Sequence, residues 1–318
     1  MALNTIVGGS LIRSSHKQHK WLYLGAFPAG HGAVDWGGGA LWLLGPAMAI
    51  SMGLSPFQVG ILFAARQIGS GITQLPSGFI GDNLKKRGTF LLATFWCVSA
   101  AQLLASGTTN YWAVVGFLTL GSIGAAAWHP VAMGVMTQWM PDRKAFVLGM
   151  HLMGGTVAEI AAPLVVGILL TFLSWNQVLQ VNTMPTIIFG LIFIRLAPMV
   201  LAPPREFEGG LNVRGLAGSV TQPAILAILL AFILHNMSTV AFMSMIPLYF
   251  EEVRGFSSRL TGLGFSLFLI GGAITAPFAG YISDKVGRKT IAIGGLVGGG
   301  ICTLLIPFVS INIAIFPL

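Results

Sequence analysis

The chain is a series of long apolar runs separated by short polar breaks. The runs cover approximately residues 22–50, 57–80, 89–107, 112–137, 146–172, 178–200, 223–250, 257–280 and 290–309. At 1.5 Å per residue, each run is long enough for a helix that crosses a hydrocarbon core of about 30 Å. A further run begins at Ile311. The pattern predicts an all-α polytopic membrane protein with nine to ten transmembrane helices.

The composition agrees with a lipid environment. Hydrophobic residues make up 55% of the chain and charged residues only 8%, and the mean hydropathy is +0.83. These values exclude an ordinary water-soluble domain. The net charge of +8 does not indicate a nucleic-acid partner, because the basic residues lie in the breaks between apolar runs. The expected partner is the lipid bilayer.

The basic residues also predict an orientation. If the N-terminus is cytoplasmic, about thirteen loop cations lie inside, and the outer loops hold only Arg254 and Arg259. The first twenty residues show no pattern of a cleaved signal peptide. We therefore expect a multi-pass protein of a bacterial-type plasma (inner) membrane.

Two segments of the chain match each other without a gap. Ser55, Gly60, Gly69, Gly78 and Asp82 recur 202 residues later as Ser257, Gly262, Gly271, Gly280 and Asp284. A repeat of this length indicates a duplicated helix bundle.

A polar break rich in proline and glycine divides the chain. It predicts an N-terminal bundle of six helices over residues 1–200, a cytoplasmic linker over 201–222 and an incomplete C-terminal bundle over 223–318. A duplicated bundle of six would give twelve helices. The expectation is therefore either a fragment or a truncated gene.

The loop after each repeat resembles the signature of the major facilitator superfamily. The second copy is a full match, whereas in the first copy Asn83 replaces a basic residue and Lys85 replaces a glycine, which predicts a different turn. The resemblance implies a two-bundle transporter fold and a conformational latch. The latch residues would be Gly78, Asp82, Lys86 and Arg87 in the first copy and Gly280, Asp284, Lys285, Gly287, Arg288 and Lys289 in the second.

The N-terminal half shows a narrower resemblance. The motifs His31-x-x-x-Asp35, Gln74-x-Pro76 and His129-Pro130 resemble the fosmidomycin-resistance type of drug exporter. The chain departs from that type at Glu159, where a glycine is usual, and Phe117 stands where many proton-coupled exporters carry an arginine. These departures prevent a transfer of substrate identity.

Ionisable residues inside the spans are costly and indicate function by default. The candidates for substrate binding and proton coupling are Asp35, His31, Arg66, Glu159, His129 and His235. His31 and Asp35 lie one turn apart on one helix face. Asp35 and Arg66 are expected to form an ion pair, which is either a proton switch or a purely structural link between helices.

The other candidates also have two interpretations. Glu159 is either an acid that faces a cavity or a residue hydrogen-bonded to a neighbouring helix. His129, placed near the cytoplasmic end of its helix, is either a coupling residue or, as the favoured interpretation, a structural histidine that satisfies a backbone carbonyl freed by Pro130. His151 and His235 are each interpreted as polar links between helices.

The sequence contains no nucleophile constellation, metal-ligand spacing or nucleotide loop, so neither an enzyme nor a cofactor is expected. The leading hypothesis is a secondary transporter that couples proton movement to export of a drug or metabolite. The alternatives are an uptake symporter for an organic anion, with Arg66 as the anion-binding group, and a truncated paralogue that does not transport.

Overall fold

A computed structural model describes residues 20–200, 218 and 220–309. The predicted all-α class is confirmed, since these residues contain helices and no strand. The helices are α1 Lys20–Met52, α2 Pro56–Asn83, α3 Arg87–Ser106, α4 Tyr111–Trp139, α5 Lys144–Leu169, α6 Trp175–Asn182, α7 Met184–Leu196, α8 Pro223–Leu248, α9 Ser258–Val286 and α10 Arg288–Leu305.

Seven stretches of the described chain are long and apolar enough to cross a membrane. They are Arg87–Ser106, Tyr111–Trp139, Pro141–Leu169, Trp175–Met199, Pro223–Val253, Ser258–Val286 and Arg288–Phe308. The predicted number of nine to ten is too high by this measure, because α1 and α2 are long enough but do not reach the mean hydropathy of the other seven. Ile311 lies outside the described residues.

Hydrogen-bonding caps fix where several helices begin. The Ser55 hydroxyl accepts a hydrogen bond from the Gln58 backbone N–H at the start of α2, and Ser257 accepts one from Leu260 at the start of α9. The two copies of the repeat therefore begin with the same cap. They end differently, as predicted. At the end of the second copy, Gly287 lies between α9 and α10 with a φ of 95°. Among the described residues, only glycines have a positive φ.

Two apolar clusters pack around α1. Phe27 joins Phe95, Trp128 and Phe193 in one cluster, and Leu43 and Leu44 belong to the other, on the next part of the same helix. The polar residues in the middle of α1 therefore lie between two apolar clusters, away from both ends of the helix.

Glycines bring α1 and α5 into close contact. A Cβ atom at Gly154 would overlap the backbone carbonyl of Pro28, and one at Gly39 would lie 3.1 Å from the Cα atom of Glu159. Small residues allow such approaches between membrane helices. Farther along α5, Gly167 meets Gly262 of α9, and the Ser266 hydroxyl donates to the carbonyl of Ile160 at 2.8 Å.

This contact predicts the effect of a larger side chain on stability. We expect Gly154→Val to destabilise the protein by about 1–3 kcal/mol, because the backbone of α1 must move to admit it. The matched control is Gly149→Val in the same helix, where no atom lies within 4 Å of an added Cβ. The thermal unfolding temperature in detergent checks both variants, and equal temperatures would contradict the assigned packing.

Candidate functional site

Asp35 lies at the centre of a cluster of histidines. Its Oδ2 atom is 2.8 Å from Nε2 of His31, and its Oδ1 atom is 3.4 Å from Nε2 of His129. His31 is one turn earlier on α1, as its spacing predicts, whereas His129 comes from α4. The carboxyl group is therefore shared between two imidazole rings on two helices.

His31 is held at both ring nitrogens. Its Nδ1–H donates to the backbone carbonyl of His151 at 2.5 Å, while Nε2 faces the Asp35 carboxyl group. A carbonyl and a carboxylate are both acceptors, so each nitrogen needs a proton or another cation between it and its oxygen. His31 and Asp35 therefore share a position for one proton between Nε2 and Oδ2.

The glycines of α5 make room for this cluster. A Cβ atom at Gly155 would meet the His31 ring and the Asp35 carboxyl oxygen. The ring of His151 stacks on that of His31, with 4.0 Å between centroids. His151 is buried, with 1% of its surface exposed, and its ring joins α1 and α5 by stacking, whereas the predicted polar link through its ring nitrogens is not formed in the described chain.

A polar cavity opens beside Asp35 and encloses about 250 Å³. Its walls come from α1 to α5. The polar lining residues are Asp35, Arg66, Gln67, Ser70, Gln102, Ser122, His129 and Glu159. Both signs of charge thus border one space of the size of a small organic molecule.

The predicted ion pair between Asp35 and Arg66 is not formed among the described residues. Both oxygens of Asp35 face histidines, and the Arg66 guanidinium lies near Gly38 and 5.8 Å from the ring centroid of Phe63. Its buried Nε atom has no hydrogen-bond partner in the described chain. Arg66 therefore lines the cavity and carries a buried donor that has no partner in the described chain.

Glu159 lines the polar cavity and two further cavities. One of these lies between α5, α8 and α9 and encloses about 640 Å³. The side chain is exposed to these spaces. Its interpretation as an acid that faces a cavity agrees with this position.

Two other histidines differ from each other in placement. His129 lies ten residues before the end of α4, about 15 Å from it, and contacts Asp35. The expected position at the helix end and the bond to a carbonyl freed by Pro130 are therefore wrong. His235 is exposed on α8, outside the histidine cluster.

The two predicted latches have different surroundings. Arg87 is buried, donates from Nε to the carbonyl of Gly81 at 2.7 Å and from Nη1 to Gln138 at 2.6 Å, and lies 3.7 Å from Asp82. In the second copy, Lys285 lies over the ring of Tyr281. The remaining charged residues of that copy are exposed: Asp284, Arg288 and Lys289.

Sequence reasoning missed the uncharged polar residues of the cavity. Gln102 is buried on α3, its side-chain nitrogen approaches Gly37, and its Oε1 atom has no partner in the described chain. Gln67 and Ser70 follow Arg66 on α2. An amide inside an apolar run is the signal that could have identified them, but the predicted site consists of ionisable residues alone.

Several curated proteins resemble the chain. Vesicular glutamate transporter 3 of Danio rerio is 24% identical over 74% of this chain and 44% of its own length. The probable sulfoacetate transporter SauU of Cupriavidus necator is 22% identical over 77% and 60%, and an Escherichia coli D-galactonate transporter is 28% identical over 49% and 36%. These relatives are named as transporters rather than enzymes. The chain spans less than two thirds of their length.

Solved structures and a family profile give the wider relationship. A bacterial homologue of the lysosomal transporter Spinster superposes with a TM-score of 0.67 at 16% identity, over 84% of this chain and 63% of that one. The nucleoside transporter NupG gives 0.66 at 14% identity, over 84% and 68%. The profile of the Major Facilitator Superfamily matches residues 30–317, which is most of the sequence. The chain therefore belongs to the major facilitator superfamily.

Proposed function

We propose that this protein is a proton-coupled secondary transporter, which moves a small organic solute by alternating access. The observation that carries the proposal is the position of Asp35. Its carboxyl group is bound by His31 and His129 and also borders a polar cavity with Arg66 and Glu159. A site for a proton and a site for a charged solute thus share one residue.

The geometry suggests how the two sites would be coupled. His31 and Asp35 belong to α1, His129 belongs to α4, and the carbonyl that holds His31 belongs to α5. A shift between these helices would change the partners of Asp35 and so change its affinity for a proton. Bound solute and bound proton would then alter each other's affinity by the same factor.

The transport movement would involve two bundles. In this proposal the six-helix bundle of residues 1–200 rocks against the segment 223–318, and residues 201–222 link them. The close contact of Gly167 with Gly262 lies between these parts. The N-terminus and the linker would be cytoplasmic in a plasma (inner) membrane, as the distribution of basic residues favours.

The first hypothesis for the direction of solute transport is export, which the resemblance to the fosmidomycin-resistance exporters implies. Proton-coupled uptake of an organic anion is the second. It is favoured by Arg66, a cation that lines the cavity and whose Nε atom has no hydrogen-bond partner in the described chain. The names of three relatives, which specify glutamate, galactonate and sulfoacetate, also point to anions.

An accumulation assay tests this function. Cells that express the chain are given a panel of anionic, cationic and neutral compounds, with and without a protonophore. Reduced accumulation that the protonophore restores would support export, whereas increased accumulation of anions that the protonophore abolishes would support uptake. No change for any compound, in cells with the protein in the membrane, would contradict the proposal.

The second latch gives a kinetic prediction. We expect Asp284→Asn to slow transport several-fold without altering which compounds compete, because Asp284 lies outside the polar cavity and near a helix end. Initial transport rates and competition profiles of this variant check the expectation. The control is Glu252→Gln, the same kind of change at another exposed acid. A changed competition profile would show that Asp284 acts on solute selection instead.

A further inference from the structure

Three of the six histidines in the chain meet inside the helix bundle. Each of His31, His129 and His151 offers a ring nitrogen, and these nitrogens all lie within 4.8 Å of one another. The residues come from α1, α4 and α5, so their wide spacing in the sequence hides the cluster. Three neighbouring imidazoles are a common ligand set for zinc.

The imidazole ring of His151, unlike its backbone carbonyl, has no role in the hydrogen bonding that holds the cluster. Its ring is 1% exposed, and neither Nδ1 nor Nε2 has a hydrogen-bond partner in the described chain. Burial of a polar group without a partner is costly. A metal ion between the rings would satisfy one of these nitrogens.

His31 is already oriented as a metal ligand. Its Nδ1–H donates to the carbonyl of His151, which leaves the lone pair on Nε2 to face its neighbours. Histidines that bind a metal usually donate their other N–H in this manner. Beside Nε2, the Asp35 carboxyl group supplies an anionic oxygen at 2.8 Å.

The spacing of these atoms suits one ion. Two ligands of a tetrahedral zinc ion are about 3.4 Å apart when each bond is about 2.1 Å. The Asp35 oxygens already lie 2.8 and 3.4 Å from Nε2 of His31 and His129. The ring nitrogens of the three histidines lie within 4.8 Å of one another, and since His151 stacks on His31, binding of one ion requires the His151 ring to rotate so that its lone pair points at the ion.

We propose that His31, His129 and His151, together with Asp35, form a binding site for a divalent transition-metal ion of the zinc class. Imidazole and carboxylate ligands favour Zn²⁺ and its neighbours over Mg²⁺ or Ca²⁺. The ion would tie α1, α4 and α5 together. It would also occupy the position between His31 and Asp35 that otherwise holds a proton.

The test is a Co²⁺ titration of the purified full chain, carried on a tag without histidine. Tetrahedral Co²⁺ absorbs visible light, so saturation reports the number of ions bound, and Zn²⁺ should displace the signal. We expect one ion per chain. In His151→Phe, which keeps an aromatic ring for stacking, the affinity should fall at least ~10-fold, since even indirect partners of a metal contribute 10-fold or more.

Matched variants separate this site from other histidines. His235→Phe makes the same change at an exposed position, and substitution of His16 and His19 by alanine removes the two histidines near the N-terminus. Both should bind as the wild type does. His151→Cys replaces one zinc ligand by another. If His151→Phe loses metal binding because a ligand is missing, and not because the protein misfolds, His151→Cys should retain binding.

The proposal is overturned if the wild-type chain shows no saturable Co²⁺ absorption. It is equally overturned if His151→Phe binds as tightly as wild type. A consequence for activity, which rests on the proposed function, is that Zn²⁺ inhibits transport and that His151→Phe needs at least ~10-fold more Zn²⁺ for the same inhibition. Because the titration requires no transport, failure of the metal site and failure of the transport function are distinguishable.

Discussion

Replacement of Asp35 by asparagine is expected to abolish proton-coupled transport and to leave membrane insertion intact. The substitution removes the group that exchanges a proton but preserves the volume of the side chain. Its amide oxygen can still accept a hydrogen bond from His31 or His129. Solute accumulation with and without a protonophore, measured together with the amount of protein in the membrane, checks this result.

The matched control is Asp142→Asn, which makes the same change at an exposed residue in the turn before α5. This variant should respond to the protonophore as the wild type does. Asp35→Asn should instead give the same accumulation with and without it. If Asp35→Asn keeps a full response, the coupling role of Asp35 is wrong and the histidine contacts are only structural.

Replacement of Arg66 by glutamine is expected to weaken binding of anionic solutes by roughly 10- to 150-fold. A hydrogen bond to a charged group contributes about 1.5–3 kcal/mol, and each 1.4 kcal/mol is tenfold in affinity. The protein should still fold, since the Nε atom of Arg66 has no partner to lose in the described chain. Competition by anionic and neutral compounds measures the effect.

The control for this variant is Arg195→Gln, because Arg195 is an exposed arginine on α7. It should leave competition unchanged. Arg66→Lys keeps the charge but loses the planar donor fork, so it should restore only part of the affinity. An equal loss for neutral and anionic compounds would exclude anion binding by Arg66.

The apolar runs and the internal repeat predicted the helical class and the position of most helices. The caps at Ser55 and Ser257 and the loop glycine Gly287 are visible in the sequence, and they begin or separate helices in the structure. The break at Thr183, which separates α6 from α7, was not predicted, because it falls inside the run 178–200, which was interpreted as one helix. The number of spans was overestimated for a different reason: α1 and α2 are long enough to span a membrane but are less hydropathic than the seven counted stretches.

The site was predicted only where its geometry is local. His31 and Asp35 meet because they are four residues apart on one helix. The approach of His129 and His151 depends on how α4 and α5 are rotated about their axes, and hydrophobic periodicity does not fix this rotation when most faces are apolar. Charge attraction alone suggested a pair of Asp35 with Arg66, but the histidines lie closer to the carboxyl group.

A comparison of the two copies of the repeat distinguishes residues that support the fold from residues that line the cavity. The glycines and caps recur in both copies, whereas Arg66 of the first copy corresponds to Phe268 of the second, and Gln67 corresponds to Leu269. The duplicated positions thus fix helix ends and close packing. Three polar residues of the first copy that the second copy lacks, Arg66, Gln67 and Ser70, line the cavity beside Asp35.

The most direct test of proton coupling is the internal pH of proteoliposomes that contain the purified chain. A compound identified by the accumulation assay is added outside, with no imposed gradient, and a trapped dye reports pH. The account predicts a pH change that accompanies solute entry and is absent with Asp35→Asn. Solute entry into wild-type vesicles without any pH change would contradict it.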